Sequence, residues 1–268
     1  MRNRKGSAKA KELLEEIGIE EITDIPMKKI VSSLGAIYME EPLSNSDGKI
    51  VRGKKKTLII VNSNILYEEK KRFTIAHEIG HLLLHDKLDL EVHNENSNTL
   101  NWFKNTEKQA KRGRQEWEAN DFASELLMPE KLFRKISERR PFSPELVKEL
   151  SQRFKASITS IVYRILTLDI YPLFIVNIHK GKVKYWSKSN DLWVKVKENT
   201  TQNPPDDSVA LEYLESGYEY LYKGKDKAQE ISKSTWFELR ENEDDSDFYE
   251  YCIPTKQYEN IISVVWQE

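Results

Sequence analysis

The sequence predicts an α+β protein with a small sheet packed on a central helix, a helical segment and a C-terminal β-rich part. Three observations predict this class. Three short strand-like runs precede a long apolar helix, a second helix follows a polar stretch, and from Tyr171 onwards aromatic-rich alternating runs are separated by turn residues. We therefore expect a core at residues 1–130, a helical extension at 131–170 and a mostly antiparallel domain at 171–268.

The N-terminal part is expected to supply two helices and the small sheet. The helices are placed at 8–17 and 27–34, and the strands at 36–40, 49–52 and 57–62. Gly18 ends the first helix, and Asp24 is placed to cap the second through its side-chain oxygen. Three short strands ahead of a helix form a sheet that can pack against the apolar side of that helix.

The helix expected at 68–85 carries the pentad His77-Glu78-Ile79-Gly80-His81. Four residues of α-helix turn through about 400°, so His77 and His81 lie on one face and can present ring nitrogens to a single ion. Glu78 lies about 100° further round, where a carboxylate can reach water at that ion without binding the ion itself. Apolar neighbours bury the pentad, and buried titratable groups are costly unless they are paired or bind a metal. The pattern indicates a metal site with Glu78 as general base.

A second helix, expected at 115–129 after a polar loop at 87–113, offers the third protein ligand. Glu116 shares a stripe with small residues such as Ala119, and small residues allow another helix to approach closely. Asn120, four residues after Glu116, is expected to support its carboxylate. Two histidines and one glutamate leave a fourth position for water, which is the pattern of catalytic zinc sites.

Other titratable residues near these two helices are given less direct roles. Glu118 is a competing third ligand, but it lies about 200° round the helix from Glu116, so only one of the two can face the ion. His85 lies about 80° from His77, and we expect it at the helix C-terminus, where the negative end of the dipole favours an imidazolium. His93 in the polar loop is expected on the surface, with oxyanion stabilisation as the alternative.

The composition restricts the class and the compartment. The 268 residues include 42 Lys and Arg against 44 Asp and Glu, and the net charge of -2 excludes a polyanion binder by bulk charge. Cys252 is the single cysteine, which rules out an intramolecular disulfide and favours a reducing compartment. No apolar run approaches the roughly 18 residues that span a bilayer. We expect a cytoplasmic protein without membrane contact, in which Cys252 is a packed thiol.

Two long motifs carry a resemblance to a known family. The first is RFTIAHEIGHLLLH at residues 72–85, and the second is ExxANxFAxxLLMP at residues 116–129. In this order they resemble the ImmA/IrrE metallopeptidases, and the similarity includes Asp47-Gly48 and covers roughly residues 8–168.

The resemblance implies a zinc-dependent endopeptidase with a thermolysin-like core. Carried over by position, it implies His77, His81 and Glu116 as zinc ligands and Glu78 as the catalytic carboxylate. The residues do not separate zinc from manganese as the ion. The usual substrate in the family is a helix-turn-helix transcriptional repressor, often encoded nearby, so the resemblance implies such a partner.

The remaining chain leaves two functional questions open. The helices expected over 143–168 resemble a helix-turn-helix, with a purely structural pair as the alternative. The domain at 171–268 is expected to sense a signal or to dock the substrate, and its tryptophans are expected in the core or on a stacking surface. One alternative function is a DNA-binding regulator with a structural metal, which an intact Glu78 argues against. Another is activation by single-stranded DNA or a small molecule, based on the tryptophans and on basic stretches at 105–114 and 131–140.

Overall fold

The computed structural model describes residues 4–19, 23–86, 111–198 and 202–267. It is a mixed α+β structure, which confirms the predicted class. The chain divides into two compact units, one of residues 1–136 and 150–160, the other of residues 137–149 and 161–268. No described helix is both long enough and apolar enough to cross a membrane.

The first unit contains a three-stranded sheet and several helices. Its strands are β1 (Ala36–Glu41), β2 (Gly48–Arg52) and β3 (Thr57–Asn62). The first helices are α1 (Lys5–Glu16), α2 (Met27–Ser33), α3 (Glu68–Leu84), α4 (Lys111–Leu127) and α5 (Glu130–Ser137). The strand order is β1-β3-β2, with β1 parallel and β2 antiparallel to β3. The predicted strands agree with these bounds to within one residue.

The predicted polar loop at 87–113 agrees only in part with the structure. Residues 87–110, and with them His93, lie outside the described residues. Residues 111–113 already belong to α4, so α4 begins earlier than the predicted helix start at Gln115.

Asp24 does not cap α2, so that prediction is wrong. The N-cap position of α2 is Pro26, and no side chain accepts a hydrogen bond there. The Asp24 carboxylate instead accepts hydrogen bonds from Lys155 Nζ at 2.6 Å and Arg72 Nη1 at 3.3 Å. The hydrogen bond from Lys155 holds the pKa of Asp24 below its ordinary value. The carboxylate thus binds two cations from distant parts of the chain instead of a nearby backbone N–H of α2. Sequence spacing alone does not reveal such distant partners.

Helices α3 and α4 approach each other closely at Gly80. A Cβ atom on Gly80 would lie 3.0 Å from Ala119 Cα and 3.1 Å from the Ala119 carbonyl oxygen. Ala119 and Ala123 are fully buried, which confirms that small residues on α4 allow this approach. Side chains larger than hydrogen at position 80 would push the two helices apart.

Helix α1 fixes the position of α4 from a different direction. The backbone N–H of Ser7 donates to Asp121 Oδ2 at 2.7 Å, and the Ser7 hydroxyl donates to Glu125 Oε2 at 3.0 Å. A Cβ on Gly6 would lie 2.1 Å from the Glu118 carbonyl oxygen, so the two backbones are in contact. The contacts hold α4 along a face that carries buried carboxylates.

Two further helices continue the chain, α6 (Pro144–Phe154) and α7 (Ile158–Leu168). The Ser143 hydroxyl accepts from the backbone N–H of Leu146 at 3.1 Å, so Ser143 begins α6 as its sequence pattern predicts. The boundary between the two units falls within each of these helices. A role of the pair in reading DNA stays a prediction.

The second unit is built on a five-stranded sheet in which every neighbouring pair is antiparallel, with the order β5-β4-β10-β9-β7. Its main strands are β4 (Leu173–His179), β5 (Lys182–Lys188), β7 (Ala228–Ser232), β9 (Asp247–Thr255) and β10 (Asn260–Trp266). A short pair, β6 (Lys195–Val196) with β8 (Phe237–Glu238), and the helices α8 (Val209–Glu215) and α9 (Lys233–Trp236) complete it. The mostly antiparallel arrangement matches the prediction.

The tryptophans of this unit divide between its core and its surface. Trp236 and Trp266 are 0% and 4% exposed, whereas Trp186 and Trp193 are 40% and 82% exposed. The core alternative holds for the first pair, and the second pair faces solvent. Cys252 is buried, as expected for a packed thiol, and burial raises the pKa of its thiol well above the ordinary value.

Glu250 is a fully buried carboxylate that connects α8 to the sheet. Its Oε2 accepts from the Val209 backbone N–H at 2.9 Å and Trp236 Nε1 at 3.3 Å. Its Oε1 accepts from the Ser263 hydroxyl at 2.6 Å and the Ala210 backbone N–H at 3.3 Å. Burial raises the pKa of Glu250, while these donors oppose that rise. Every one of these groups donates, so the site matches a carboxylate that only accepts.

We expect Glu250→Gln to destabilise the second unit by about 2–3 kcal/mol, because an amide NH2 would face donors and leave them unsatisfied. Urea denaturation followed by tryptophan fluorescence measures the change. The control is Glu230→Gln on β7, where the side chain is exposed and the change should stay within about 0.5 kcal/mol. Equal stability of the two variants would contradict the role given to Glu250.

Candidate metal centre

Helices α3 and α4 bring three potential ligands to one point. His77 Nε2 and His81 Nε2 lie 2.9 Å apart. Glu116 Oε2 lies 3.2 Å from His77 Nε2, and Glu116 Oε1 lies 3.5 Å from His81 Nε2. One ligand atom from each of the three residues falls within 4.8 Å of the others. The described residues contain this group of three as a candidate metal site.

Helix geometry explains how the three side chains meet. His77 and His81 are four residues apart on α3, so their rings stack along one face with centroids 4.6 Å apart. The close approach of α4 at Gly80 then places Glu116 across from that face. The Glu116 side chain is 41% exposed, while His77 and His81 are 16% and 4% exposed, so the site opens to solvent on the side of Glu116.

The donor set fits a divalent ion of the zinc type. Two imidazole nitrogens and a carboxylate oxygen are ordinary zinc ligands, and three of them leave one coordination position free. Two nitrogen atoms 2.9 Å apart repel through their lone pairs unless a proton or a cation lies against them. The residues present therefore match such an ion.

Asn120 contacts His77 rather than Glu116, which corrects the predicted support of the carboxylate. Its Oδ1 lies 2.8 Å from His77 Nδ1, the ring nitrogen that points away from the ligand cluster. Asn120 lies four residues after Glu116, so the spacing was compatible with either partner. In the structure the Asn120 amide contacts His77 on the neighbouring helix.

His85 and Glu118 form a chain of contacts behind His81. His85 Nδ1 lies 3.0 Å from His81 Nδ1, and His85 Nε2 lies 3.0 Å from Glu118 Oε2. His85 and Glu118 are buried, at 6% and 5% exposure. The Glu118 carboxylate therefore contacts His85 and is not part of the group formed by His77, His81 and Glu116. His85 is the C-cap residue of α3, as expected, and its ring is packed between His81 and Glu118.

The sequence contained a signal for the His85 contact that the angle from His77 concealed. Residues four apart on a helix face each other, and His81 and His85 have that spacing. The angle of about 80° between His85 and His77 indicates whether His85 can bind the same ion as His77. It does not indicate whether His85 contacts His81. Glu118 carried no comparable signal, because its partner lies on another helix.

Glu78 lies beside the ligand cluster and is buried, at 6% exposure. Burial raises the pKa of its carboxyl to about 7, with Glu116 acting in the same direction and His77 opposing. The first residue of β2 lies against it: a Cβ on Gly48 would be 2.9 Å from Glu78 Oε1 and 2.6 Å from Thr74 Cγ2. Gly48 therefore leaves the space that the Glu78 carboxylate occupies.

His77, His81 and Glu116 shift one another's pKa values. Burial lowers the pKa of His81 to about 4, and the hydrogen bond to Glu116 only partly offsets it. For His77 burial also lowers the pKa, but Glu116 outweighs burial and raises it to about 9. Burial raises the pKa of Glu116, and the two histidines outweigh it, so the pKa lies below its ordinary value. The carboxylate is thus held in its charged form.

The family comparison bears on the whole cluster. The model of Peptidase_M78, the IrrE N-terminal-like domain, matches residues 32–166, about half of the chain. The chain belongs to this family. The match confirms the resemblance seen in the two motifs, and the IrrE-like region contains all four of the predicted site residues.

A solved structure described as a Mycobacterium tuberculosis transcriptional regulator is similar to the IrrE-like chain, with a TM-score of 0.58 and 12% sequence identity. The alignment covers 97% of this chain and 75% of that chain. At this identity the likeness shows the fold alone. A search of curated proteins finds no match for the IrrE-like chain.

Proposed function

We propose that this IrrE-like chain is a zinc-dependent endopeptidase that cleaves and inactivates a helix-turn-helix transcriptional repressor in response to a signal. One observation carries the proposal. Two histidine Nε2 atoms and the Glu116 carboxylate converge on one point, and the separate buried carboxylate of Glu78 lies next to them. Membership of a peptidase family supports hydrolysis as the reaction.

His77, His81 and Glu116 would hold the ion in this proposal. Bound zinc supplies a Lewis acid that polarises the scissile carbonyl and makes water more acidic. The Glu78 carboxylate accepts the proton from the attacking water and later donates it to the leaving amine.

The proposed substrate is supported by the family and by regulatory context. The similar solved structure is described as a transcriptional regulator, and the resemblance to ImmA/IrrE peptidases implies a repressor encoded nearby. In the same proposal the first unit provides a thermolysin-like core, and the C-terminal domain senses the signal or docks the repressor. The two exposed tryptophans, Trp186 and Trp193, are surface groups available for such contacts.

The test is to incubate the zinc-loaded protein with the helix-turn-helix protein encoded beside it. We expect a defined cut that disappears when a chelator removes the metal and returns when zinc is restored. Mass spectrometry of the fragments identifies the bond. A tight, sequence-specific DNA complex formed by this chain without any proteolysis would instead favour a DNA-binding regulator with a structural metal.

Gly48→Ala is expected to lower the cleavage rate by about 10- to 100-fold while zinc stays bound. The new methyl group would overlap the Glu78 carboxylate, and displacing a catalytic group by about 1 Å can cost about 100-fold. Single-turnover cleavage together with zinc content measures both effects.

The matched variant for this prediction is Gly48→Ala combined with Thr74→Ser, which removes the Thr74 methyl group that the new Cβ would also meet. The double variant should stay slow, because the overlap with Glu78 remains. Full recovery of the rate in the double variant would show that Thr74, not Glu78, causes the loss.

A further inference from the structure

Each metal-facing histidine has a second ring nitrogen whose partner decides where the proton lies. A neutral imidazole carries one proton, so one nitrogen donates and the other offers a lone pair. A metal binds only the nitrogen with the lone pair. His77 and His81 both direct Nε2 to the ligand cluster, so both must carry their proton on Nδ1 in order to bind.

The partner of His77 satisfies this condition directly. Its Nδ1 lies 2.8 Å from Asn120 Oδ1, and an amide oxygen only accepts hydrogen bonds. The Nδ1 atom of His77 therefore carries a proton. The partner of His81 is another imidazole, His85, which can either donate or accept, so the direction of that hydrogen bond needs a further determinant.

Glu118 supplies the determinant. An ionised carboxylate only accepts hydrogen bonds, and Lys5 Nζ lies 3.9 Å from Glu118 Oε2. His85 Nε2, 3.0 Å from Glu118 Oε2, must then donate its proton to Glu118. Nδ1 of a neutral His85 is consequently left with a lone pair, and it accepts from His81 Nδ1 at 3.0 Å.

We propose that Glu118 and His85 are positioning residues which fix His81 in the tautomer protonated on Nδ1, so that its Nε2 is free to bind the metal. The proposal rests on the proposed metal site. Neither residue touches the ion: Glu118 orients His85, and His85 orients His81. Partners of this kind behind metal ligands are worth about 10- to 100-fold in metal affinity.

The His85 ring contacts are separate from the ending of α3. Arg52 Nη2 donates to the carbonyl oxygens of His85 at 2.6 Å and His81 at 3.0 Å, and so satisfies the end of the helix through the backbone. Changing the His85 side chain leaves those contacts available. A loss of metal affinity in a folded His85 variant therefore reports on the ring.

We call the hydrogen-bonded chain Glu118–His85–His81 the relay. Hydrogen bonds that ran through it in the opposite direction would overturn the proposal. An imidazolium at His85 would donate through both of its nitrogens, so His81 Nδ1 would accept and His81 Nε2 would hold the proton. That tautomer cannot bind a metal through Nε2. The two arrangements differ in which nitrogen of His81 is protonated, and this difference is measurable without metal.

The first experiment reads the tautomer by long-range 1H–15N NMR on metal-free protein labelled at histidine nitrogen. The Glu116 carboxylate, 3.5 Å from His81 Nε2, is a competing acceptor on the other side of the ring. We therefore expect His81 to be protonated on Nδ1 in the wild type and to shift towards protonation on Nε2 in His85→Leu. His85→Asn should restore the wild-type tautomer, since the asparagine Oδ1 falls near the place of Nδ1 and only accepts. Protonation of His81 on Nε2 in the wild type, or an unchanged tautomer in His85→Leu, overturns the proposal.

The second experiment measures zinc affinity by competition with a chromophoric chelator, with circular dichroism as the check on folding. We expect about 10- to 100-fold weaker binding for His85→Leu and recovery of most of it in His85→Asn. The control is His179→Asn at the end of β4, which should bind as the wild type does. Unchanged affinity in His85→Leu contradicts the proposal.

Glu118→Gln provides a second route should His85→Leu not fold. Its amide can donate as well as accept, so the direction of the relay is lost and the His81 tautomer becomes mixed; an unchanged tautomer contradicts the proposal. The proposed function and the proposed relay can be refuted separately. A wild-type protein that binds no zinc refutes the proposed function, whereas zinc binding that ignores His85 and Glu118 refutes only the relay.

Discussion

Replacing Glu78 with glutamine is expected to leave zinc bound and to reduce peptide cleavage by about 100- to 10,000-fold, the range that general acid–base groups contribute. Glutamine has nearly the same shape but accepts no proton at neutral pH. The proposed ligand atoms belong to His77, His81 and Glu116, so the ion should remain. The expected signature is therefore loss of catalysis without loss of metal.

The measurement combines zinc content of the purified variant with cleavage of the repressor under single-turnover conditions. The matched control is Glu69→Gln, an exposed glutamate in the first turn of the same helix, which should retain full activity. Cleavage by Glu78→Gln at the wild-type rate would show that another group moves the proton and would remove the mechanism proposed for this site.

Replacing Glu116 with alanine is expected to weaken zinc binding by more than about 100-fold, beyond the loss expected for a residue behind the ligands. The change removes one of the three proposed ligands and also the carboxylate that holds the raised pKa of His77. Two imidazoles alone do not complete a stable protein zinc site. Cleavage should fall with the metal content, since the ion supplies the Lewis acid.

Competition with a chelator gives the affinity of this variant, and added zinc tests whether activity returns at high metal concentration. The control is Arg114→Ala, an exposed residue two positions earlier on α4. Retention of zinc within about tenfold of the wild type would mean that a different side chain is the third ligand. The loss should also exceed that of His85→Leu, because a ligand contributes more than its support.

The sequence predicted the cluster because helix periodicity determines it. His77 and His81 are four residues apart on one helix, so their spacing alone indicated that they could share an ion. Glu116 lies on another helix, and it was indicated by its stripe of small residues together with the family resemblance. The small sheet was equally predictable, since β-branched runs such as 57–62 have few alternatives.

The contacts behind the ligands could not be predicted in the same way. Asn120 was compatible with a partner on its own helix and with one on α3, and only the packing of the two helices decides between them. Asp24 illustrates the same limit, because its partner Lys155 is 131 residues away. Local patterns predict elements and their faces, whereas side-chain partners across elements depend on tertiary packing.

The contact between Gly80 and Ala119 makes the separation of the ligands a property of helix spacing. Glu116 reaches the histidines only because α3 has a hydrogen atom where other residues would place a methyl group. Selectivity of the proposed metal site can therefore be adjusted, in evolution or by engineering, through the side-chain volume at position 80 while His77, His81 and Glu116 stay unchanged. A slightly wider gap would favour ions with longer metal–oxygen bonds over zinc.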